Sequence, residues 1–197
     1  MQDVHARIQR FLQQQTIASL VGDAATFPDQ QYMKAGVVPY VRQASEMHYL
    51  LMKPRTRDPL NPPSFQLGKG TRMYVHRGSG WRDMKKGDEA MEGKEPLIVT
   101  ALREGIEELG LKLDSIGCIF DVGPYKFISE RSRKNKYMWL FAVEMPSRDD
   151  VLPMGEVASS TAERGWLTEA QFAVVGREDH RYILGDIAAK LRAHYKE

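Results

Sequence analysis

Three glutamates lie close together in the segment PLIVTALREGIEEL (96–109), at Glu104, Glu107 and Glu108. On a helix, at about 100° per residue, their carboxylates share one face, opposite the apolar residues of the segment. The cluster is unfavourable by itself, because Glu104 and Glu108 are like charges four residues apart and all three lie towards the negative end of the helix dipole. Carboxylate oxygens suit Mg²⁺ or Mn²⁺ as ligands. The pattern therefore favours a divalent metal site over its alternative, a solvated helix face.

The segment 96–109 is predicted to be a helix with a buried face and a defined end. Its apolar residues recur at helical spacing, at Val99, Leu102, Ile106 and Leu109. Pro96 suits the first helical position, because the N–H that proline lacks has no partner there. Gly110 is expected to end the helix in the left-handed conformation. The helix thus presents the glutamate cluster on its outer face.

The charged residues around this helix follow a known spacing. The run reads Glu95-x7-Arg103-Glu104-x2-Glu107-Glu108-x-Gly110. It resembles the Nudix box, whose usual form is G-x5-E-x7-R-E-U-x-E-E-x-G-U, with U a bulky apolar residue. Two positions depart from that form, because Glu89 stands where the first glycine is usual and Gly105 where the apolar residue is usual. A glycine in mid-helix costs about 1 kcal/mol relative to alanine, so we expect a neighbouring group to pack closely on Gly105.

The resemblance implies a fold and a chemistry. Nudix proteins are α/β/α sandwiches that hydrolyse the pyrophosphate of a nucleoside diphosphate linked to another group, with Mg²⁺ or Mn²⁺. Carried over by position, the metal ligands are Glu104, Glu107 and Glu108. Glu95 and Arg103 would pair to fix the preceding loop to the helix. A backbone carbonyl of the glycine-containing turn 68–70 is a candidate to complete the metal coordination.

The general base stays open between three glutamates. In Nudix proteins it comes from the box, here Glu107, or from a later loop. Glu156 and Glu163 precede Trp166 in GEVASSTAERGWLT, which resembles the family's segment before a tryptophan-containing strand. The alternative for Glu156 and Glu163 is an ordinary surface glutamate.

Substrate contacts are predicted in a basic stretch, RSRKNK (131–136), between two strands. Beside a metal site its cations are candidate phosphate contacts, namely Arg131, Arg133, Lys134 and Lys136; the alternative is a solvated loop. The expected ligand is a nucleoside diphosphate derivative or a dinucleoside polyphosphate. Two other functions stay open, a nucleotide-binding or regulatory module without turnover and an RNA-directed pyrophosphohydrolase. The intact set of acids favours the enzyme.

The length, net charge and cysteine content of the chain favour some of these functions over others. The chain has 197 residues, 42% of them hydrophobic, and its 28 Lys+Arg and 26 Asp+Glu give a formal net charge of +2. This supports one globular domain and argues against charge-driven binding to nucleic acid. The single cysteine, Cys118, excludes an intrachain disulfide and lies in an apolar run where we expect it to be buried. No run is apolar enough to span a membrane and the first residues do not resemble a signal peptide, so we expect a cytoplasmic protein.

Hydrophobic patterns predict the elements around the box helix. Further helices are predicted at 1–20, 168–175 and 179–195, strands at 35–41, 48–52, 65–70, 116–122, 125–129 and 137–145, and loops at 53–64, 71–94 and 146–165. This order predicts an α/β fold with a mixed sheet between helices. Residues 1–31 are expected to form an N-terminal helix and linker, and residues 32–197 the Nudix domain. The apolar stripe of the first helix is expected to pack on that domain or on a second subunit of a homodimer.

Overall fold

The structure is a computed structural model that describes residues 2–21, 34–44, 46–55, 63–76, 80–83, 93–128 and 135–196. The helices are α1 (Gln2–Leu12), α2 (Leu97–Glu104), α3 (Glu169–Val175) and α4 (Glu178–Tyr195). The strands are β1 (Ile17–Ser19), β2 (Lys34–Gln43), β3 (Glu46–Pro54), β4 (Gly70–Thr71), β5 (Met73–His76), β6 (Gly80–Asp83), β7 (Ile119–Ile128), β8 (Asn135–Glu144) and β9 (Thr161–Thr168). Within these ranges, no helix is both long enough and apolar enough to cross a membrane.

One mixed sheet forms the centre of the molecule. Its strand order is β1-β7-β8-β2-β3-β9, and β4 pairs with β2 beside this path. The pairs β1–β7 and β2–β8 are parallel, whereas β2–β3, β3–β9 and β7–β8 are antiparallel. β5 and β6 form a separate antiparallel hairpin. The prediction of a mixed sheet is therefore confirmed.

Helices cover both faces of this sheet. Because successive residues of a strand point to opposite faces, β2 contributes to two cores. Ala35 and Val37 belong to the core under α1 and α2. Val38 and Tyr40 belong to the core under α3 and α4. The architecture is thus the predicted α/β/α sandwich with an N-terminal helix.

The N-terminal helix is shorter than predicted. α1 ends at Leu12 rather than at residue 20, and Ile17–Ser19 instead form the edge strand β1. The β-branched Ile17 lies opposite Ile119 of β7, so pairing with the sheet replaces the last part of the predicted helix. Ile8 of α1 is fully buried in the core shared with α2. The linker within residues 22–31 lies outside the described residues, and the domain boundary after residue 31 stays a prediction.

Two predicted loops contain strands. The segment 71–94 includes the hairpin of β5 and β6, and β9 begins at Thr161, inside the loop predicted over 146–165. The strands in both segments are stabilised by hydrogen bonds to a partner strand. Their apolar and polar residues alternate only weakly, so the sequence pattern did not predict them. The predicted strands 116–122 and 125–129 form the single strand β7, with a bulge at Gly123.

Cys118 is exposed, contrary to the prediction. β7 begins only at Ile119, so the thiol precedes the strand instead of lying within its buried run. Pro96 takes the N-cap position rather than the first helical position of α2, and its ψ of 145° is extended. Gly110 ends the helix with a φ of 70°, as predicted.

Candidate functional site

Arg103 lies at the centre of residues 95–110, the segment that resembles the Nudix box and is called the box below, and it connects four groups. Its Nε and Nη2 donate to the two carboxylate oxygens of Glu95, at 3.1 and 3.3 Å. Its Nη1 donates to Glu104 Oε1 at 2.7 Å and to Glu107 Oε2 at 3.2 Å, and Nη2 also reaches the carbonyl of Thr71 at 2.9 Å. The guanidinium therefore joins the loop before α2, the strand β4 and two acids of the predicted metal set.

Glu95 is fully buried and receives donors from several elements. Thr100 Oγ1 and the backbone N of Met73 donate to its Oε2, at 2.8 and 3.1 Å. His5 Nε2, from α1, lies 2.7 Å from its Oε1. A buried carboxylate requires such partners, because an unpaired charge in the interior is costly. The sequence did not lead to His5 as a partner of the box; the available signal was its position three residues before Ile8, on the buried face of α1.

The glycine-containing segment 68–70 forms the wall facing the acids. A Cβ on Gly70 would lie 1.7 Å from Glu104 Cδ, so the carboxylate rests directly on the backbone there. The backbone N of Lys69 donates to Glu108 Oε2 at 3.2 Å. This segment therefore orients Glu108 and leaves room for Glu104, which a larger residue at position 70 would displace.

Burial raises the pKa of two of the acids. It raises the pKa of Glu104 to about 7, against the opposing effect of Arg103, and the charges of Glu108 and Glu107 raise it further. Burial also raises the pKa of Glu108, opposed by the hydrogen bond from Lys69. The carboxylates thus lie where their charge is poorly solvated and mutually repulsive. A cation at this place would relieve both penalties.

The carboxylate oxygens of Glu104, Glu107 and Glu108 are the type of ligand that a hard divalent cation prefers. In this structure, however, the three carboxylates do not point at one common position. Among the described residues, no three His, Cys, Asp or Glu side chains are grouped as a metal site. Arg103 Nη1 lies between Glu104 and Glu107. Glu107, with 41% of its side chain exposed against 12% for Glu104, is the more accessible of the two to a cation from solvent. Three carboxylates within one helical turn are suitable oxygen ligands for Mg²⁺ or Mn²⁺.

The last turn of the box helix is wider than an α-helix. Residues Gly105–Leu109 are π-helical, and Leu111 N closes the turn on the carbonyl of Gly105 at 3.1 Å. A Cβ on Gly105 would lie 2.6 Å from Val37 Cγ2 and 2.7 Å from Leu111 Cδ1. The expected close packing on Gly105 is therefore present. Single π turns are frequent at functional sites, and here the turn carries Glu107 and Glu108.

The chain after β8 holds the C-terminal end of the box helix. Ala158 N donates to the carbonyl of Glu107 at 2.6 Å, and Thr161 Oγ1 donates to that of Glu108 at 3.0 Å. Arg164 donates to the carbonyls of Leu109 and Leu152. A guanidinium at this position satisfies carbonyls that a helix end leaves unpaired and complements the helix dipole. Arg164 was not predicted, because nothing local in the sequence indicates which carbonyl it reaches.

The two candidate bases outside the box lie in different surroundings. Glu156 is exposed in the 3₁₀ turn Met154–Glu156, two residues before Ala158 and its bond to the box. Glu163 pairs with Lys53 Nζ at 2.8 Å. Because neighbouring residues of a strand point to opposite faces, Glu163 points away from the face on which Arg164 meets the box helix. The structure thus brings Glu163 to Lys53 rather than to the box acids.

A buried histidine supports the glycine-containing wall from the other side. His180 of α4 is fully buried, and its Nδ1 accepts a hydrogen bond from Leu67 N at 3.2 Å. Its Nε2 lies 3.4 Å from Lys69 Nζ. Burial, with the nearby charges of Lys69 and Arg177, holds the pKa of His180 well below its usual value. The neutral imidazole therefore connects α4 with the segment that orients Glu108.

Of the four predicted phosphate contacts, Lys136 lies among the described residues. Arg131, Arg133 and Lys134 lie outside the described residues. Lys136 lies on β8, opposite Phe127 of β7 in the strand register. Their role as phosphate contacts therefore stays a prediction.

Comparison with solved structures identifies the fold. The Ap4A hydrolase binary complex of C. elegans superposes with a TM-score of 0.57 at 18% identity, over 81% of this chain and 97% of that one. The Nudix domain of Shewanella oneidensis NrtR, complexed with ADP ribose, has a TM-score of 0.52 at 14% identity, over 86% and 94%. A Nudix hydrolase from Nitrosomonas europaea has a TM-score of 0.51 at 16% identity, over 79% and 88%. The chain has the Nudix fold.

Sequence comparison adds no relative to this structural likeness. No family model matches the chain. No curated protein matches it either. The Nudix fold is thus shared at identities of 14–18%, which are too low to transfer an activity.

Proposed function

We propose that the protein hydrolyses the pyrophosphate of a nucleoside diphosphate linked to another group, with Mg²⁺ or Mn²⁺ as cofactor. The observation that carries this proposal is the junction of Arg103 with the acids of one helix end, facing the backbone of the segment 68–70. Clustered carboxylates repel one another unless a cation neutralises their charge. A divalent cation would do so and would also bind the phosphate oxygens of a substrate.

Each residue of the site has a distinct proposed role. Glu104, Glu107 and Glu108 would hold the cation, which when bound neutralises phosphate oxygens and polarises the phosphorus centre. Lys69 N orients Glu108, and a carbonyl of the segment 68–70 is a further candidate ligand. Glu95 fixes Arg103, and through it the two acids at Nη1. The proton transfer also requires a general base, for which Glu107, Glu156 and Glu163 are the candidates.

The substrate is proposed by chemical class. The names of the structural neighbours include an Ap4A hydrolase and a domain complexed with ADP ribose. Both ligands contain a pyrophosphate between a nucleoside and a second group, which is the class proposed here. Arg131, Arg133, Lys134 and Lys136 remain the proposed phosphate contacts. A homodimer also remains a proposal, which light scattering of the purified chain tests.

Removal of divalent metal is expected to abolish hydrolysis. The purified protein is incubated with Ap4A, ADP ribose, a nucleotide sugar, a nucleoside triphosphate and 5′-capped RNA, and release of nucleoside monophosphate is measured by chromatography. We expect turnover of at least one substrate with Mg²⁺ or Mn²⁺, its loss in EDTA and its return when metal is restored. Turnover undiminished in EDTA would contradict the proposal. Tight nucleotide binding without turnover of any substrate would instead indicate a binding module.

Glu156→Gln is expected to lower kcat more than Glu163→Gln. A general base contributes typically about 10²–10⁴-fold, and Glu156 lies on the segment that Ala158 and Thr161 attach to the box helix. Glu163 is held by Lys53 on the other side of β9. Both kcat values are measured at saturating substrate and Mg²⁺. A larger loss of kcat in Glu163→Gln would assign the general base to Glu163 on β9. If both variants keep the wild-type kcat, Glu107 is the remaining candidate for the base.

A further inference from the structure

The N-terminal helix reaches the box through one buried imidazole. His5 Nε2 lies 2.7 Å from Glu95 Oε1, with 6% and 0% of the two side chains exposed. The two residues are 90 positions apart in the chain. The contact therefore joins α1, which precedes the central strands of the sheet, to the first acid of the box.

Contacts continue from Glu95 to the acids proposed to bind metal. Glu95 Oε1, the oxygen next to His5, also accepts a hydrogen bond from Arg103 Nε at 3.1 Å. The opposite end of that guanidinium, Nη1, holds Glu104 and Glu107. Because the guanidinium is planar and rigid, a shift of its Glu95 end moves its Nη1 end as well. His5 thus lies three contacts from Glu104 and Glu107, and four from the proposed cation.

We propose that His5 is a positioning residue, which sets the orientation of Arg103 through Glu95 and thereby the metal affinity of Glu104 and Glu107. This inference rests on the proposed function of that site. It makes α1 a part of the metal centre and not only a cover for the sheet. Replacing a group that directly holds metal ligands commonly changes metal affinity, and here that group is Arg103, which Glu95 and His5 orient.

Attachment of α1 alone does not account for a histidine at this position. Ile8 is fully buried in the same core, and Val4, Phe11 and Leu12 pack against it as well. An apolar residue at position 5 would serve that attachment without the cost of burying a polar ring. A histidine suits this position because its ring N–H can donate to the carboxylate of Glu95. Hydrogen bonds to a buried charge are more stabilising than those between neutral groups.

The test compares three variants of the full-length protein. His5→Leu removes the ring nitrogens at similar size. His5→Gln places an amide N–H near the position of Nε2, and Gln9→Ala changes an exposed residue of the same helix. The dissociation constant of Mn²⁺ is measured by calorimetry without nucleotide, below the melting temperature of every variant. kcat and KM are then measured with the best substrate.

His5→Leu is expected to weaken Mn²⁺ binding by about 10-fold, the lower end of the range for groups that hold metal ligands directly, and to lower kcat. His5→Gln should recover part of the loss, and Gln9→Ala should match the wild type. Mn²⁺ affinity of His5→Leu equal to that of Gln9→Ala overturns the inference, even if the variant melts at a lower temperature. If His5→Leu does not fold, His5→Asn takes its place, because its amide mimics Nδ1 rather than Nε2. Equal affinities of His5→Asn and His5→Gln then overturn it.

The outcomes also separate this inference from the proposed reaction. Normal Mn²⁺ binding by the wild type with no hydrolysis of any nucleotide overturns the reaction, while the ratio of affinities still decides the role of His5. Active enzyme with unchanged affinity in His5→Leu overturns only the role of His5. A wild type that binds no Mn²⁺ overturns both.

Discussion

Glu108→Gln is expected to reduce turnover by about two orders of magnitude or more while the protein stays folded. Metal and charge stabilisation of a phosphoryl transition state is worth several kcal/mol, and each 1.36 kcal/mol is about tenfold in rate. Glutamine keeps an oxygen that accepts from Lys69 N, so the contact at 3.2 Å survives. Removing the negative charge does not harm the fold, because burial already disfavours the ionised form and raises the pKa of Glu108. The loss should appear in kcat at saturating Mg²⁺.

Glu107→Gln is expected to show the same loss of turnover. Its ion pair with Arg103 involves a half-exposed side chain, and such pairs contribute about 0–1 kcal/mol to stability. Glu169→Gln is the matched control, because it makes the same chemical change in an exposed pair with Arg192 on the other face of the sheet. Melting curves are recorded without metal and rates with it. Glutamine variants of the box that melt far lower yet keep full activity would show that these acids form a structural face.

Arg103→Ala is expected to destabilise the protein by about 3–5 kcal/mol, the usual effect of breaking a buried ion pair. For a chain of this size that corresponds to a fall in melting temperature of about 6–20 °C. The cause is Glu95, whose fully buried carboxylate would lose its cationic partner. Activity should fall as well, because Glu104 and Glu107 lose the donor that orients them. The measurement is thermal or urea unfolding of the metal-free protein.

Two further variants check the cause of this destabilisation. Arg192→Ala removes an arginine from an exposed pair with Glu169 and should cost about 0–1 kcal/mol. The double variant Glu95→Gln with Arg103→Met removes both buried charges, and it should recover part of the stability lost in Arg103→Ala. Recovery of stability without recovery of activity would separate the two roles of Arg103. An Arg103→Ala variant as stable as Arg192→Ala would contradict the buried pair.

The site combines a local motif with supports from distant parts of the chain. Within the box, Arg103 and the acids lie a few residues apart on one helix end. Outside it, α1 contributes His5, α4 contributes His180, and β9 contributes Arg164, each through a hydrogen bond to the box or its facing wall. The geometry of the proposed metal site is therefore expected to depend on residues that would contact neither metal nor substrate.

The sequence by itself determined the features whose cause is local. The box helix follows from its apolar period, and its end follows from a glycine that adopts the left-handed conformation without strain. The hairpin of β2 and β3 and the C-terminal helices follow from alternation and helical spacing. The order of these elements indicated a mixed sheet between helices, and the resemblance to the Nudix box implied the α/β/α sandwich.

Only the tertiary structure decided which distant groups meet. The predicted helix over 1–20 gave way to β1, because a sheet edge offered Ile17–Ser19 hydrogen bonds that local propensity does not count. Glu163 was a candidate base because its segment resembles the one before the family's tryptophan-containing strand. It faces Lys53, because the register of β9 decides which side each residue occupies. His5 meets Glu95 across 90 residues, and no periodic pattern encodes such a contact. The spacing of apolar residues predicts which face of a helix or strand is buried. Which polar group a residue on that face contacts depends on the elements packed against it.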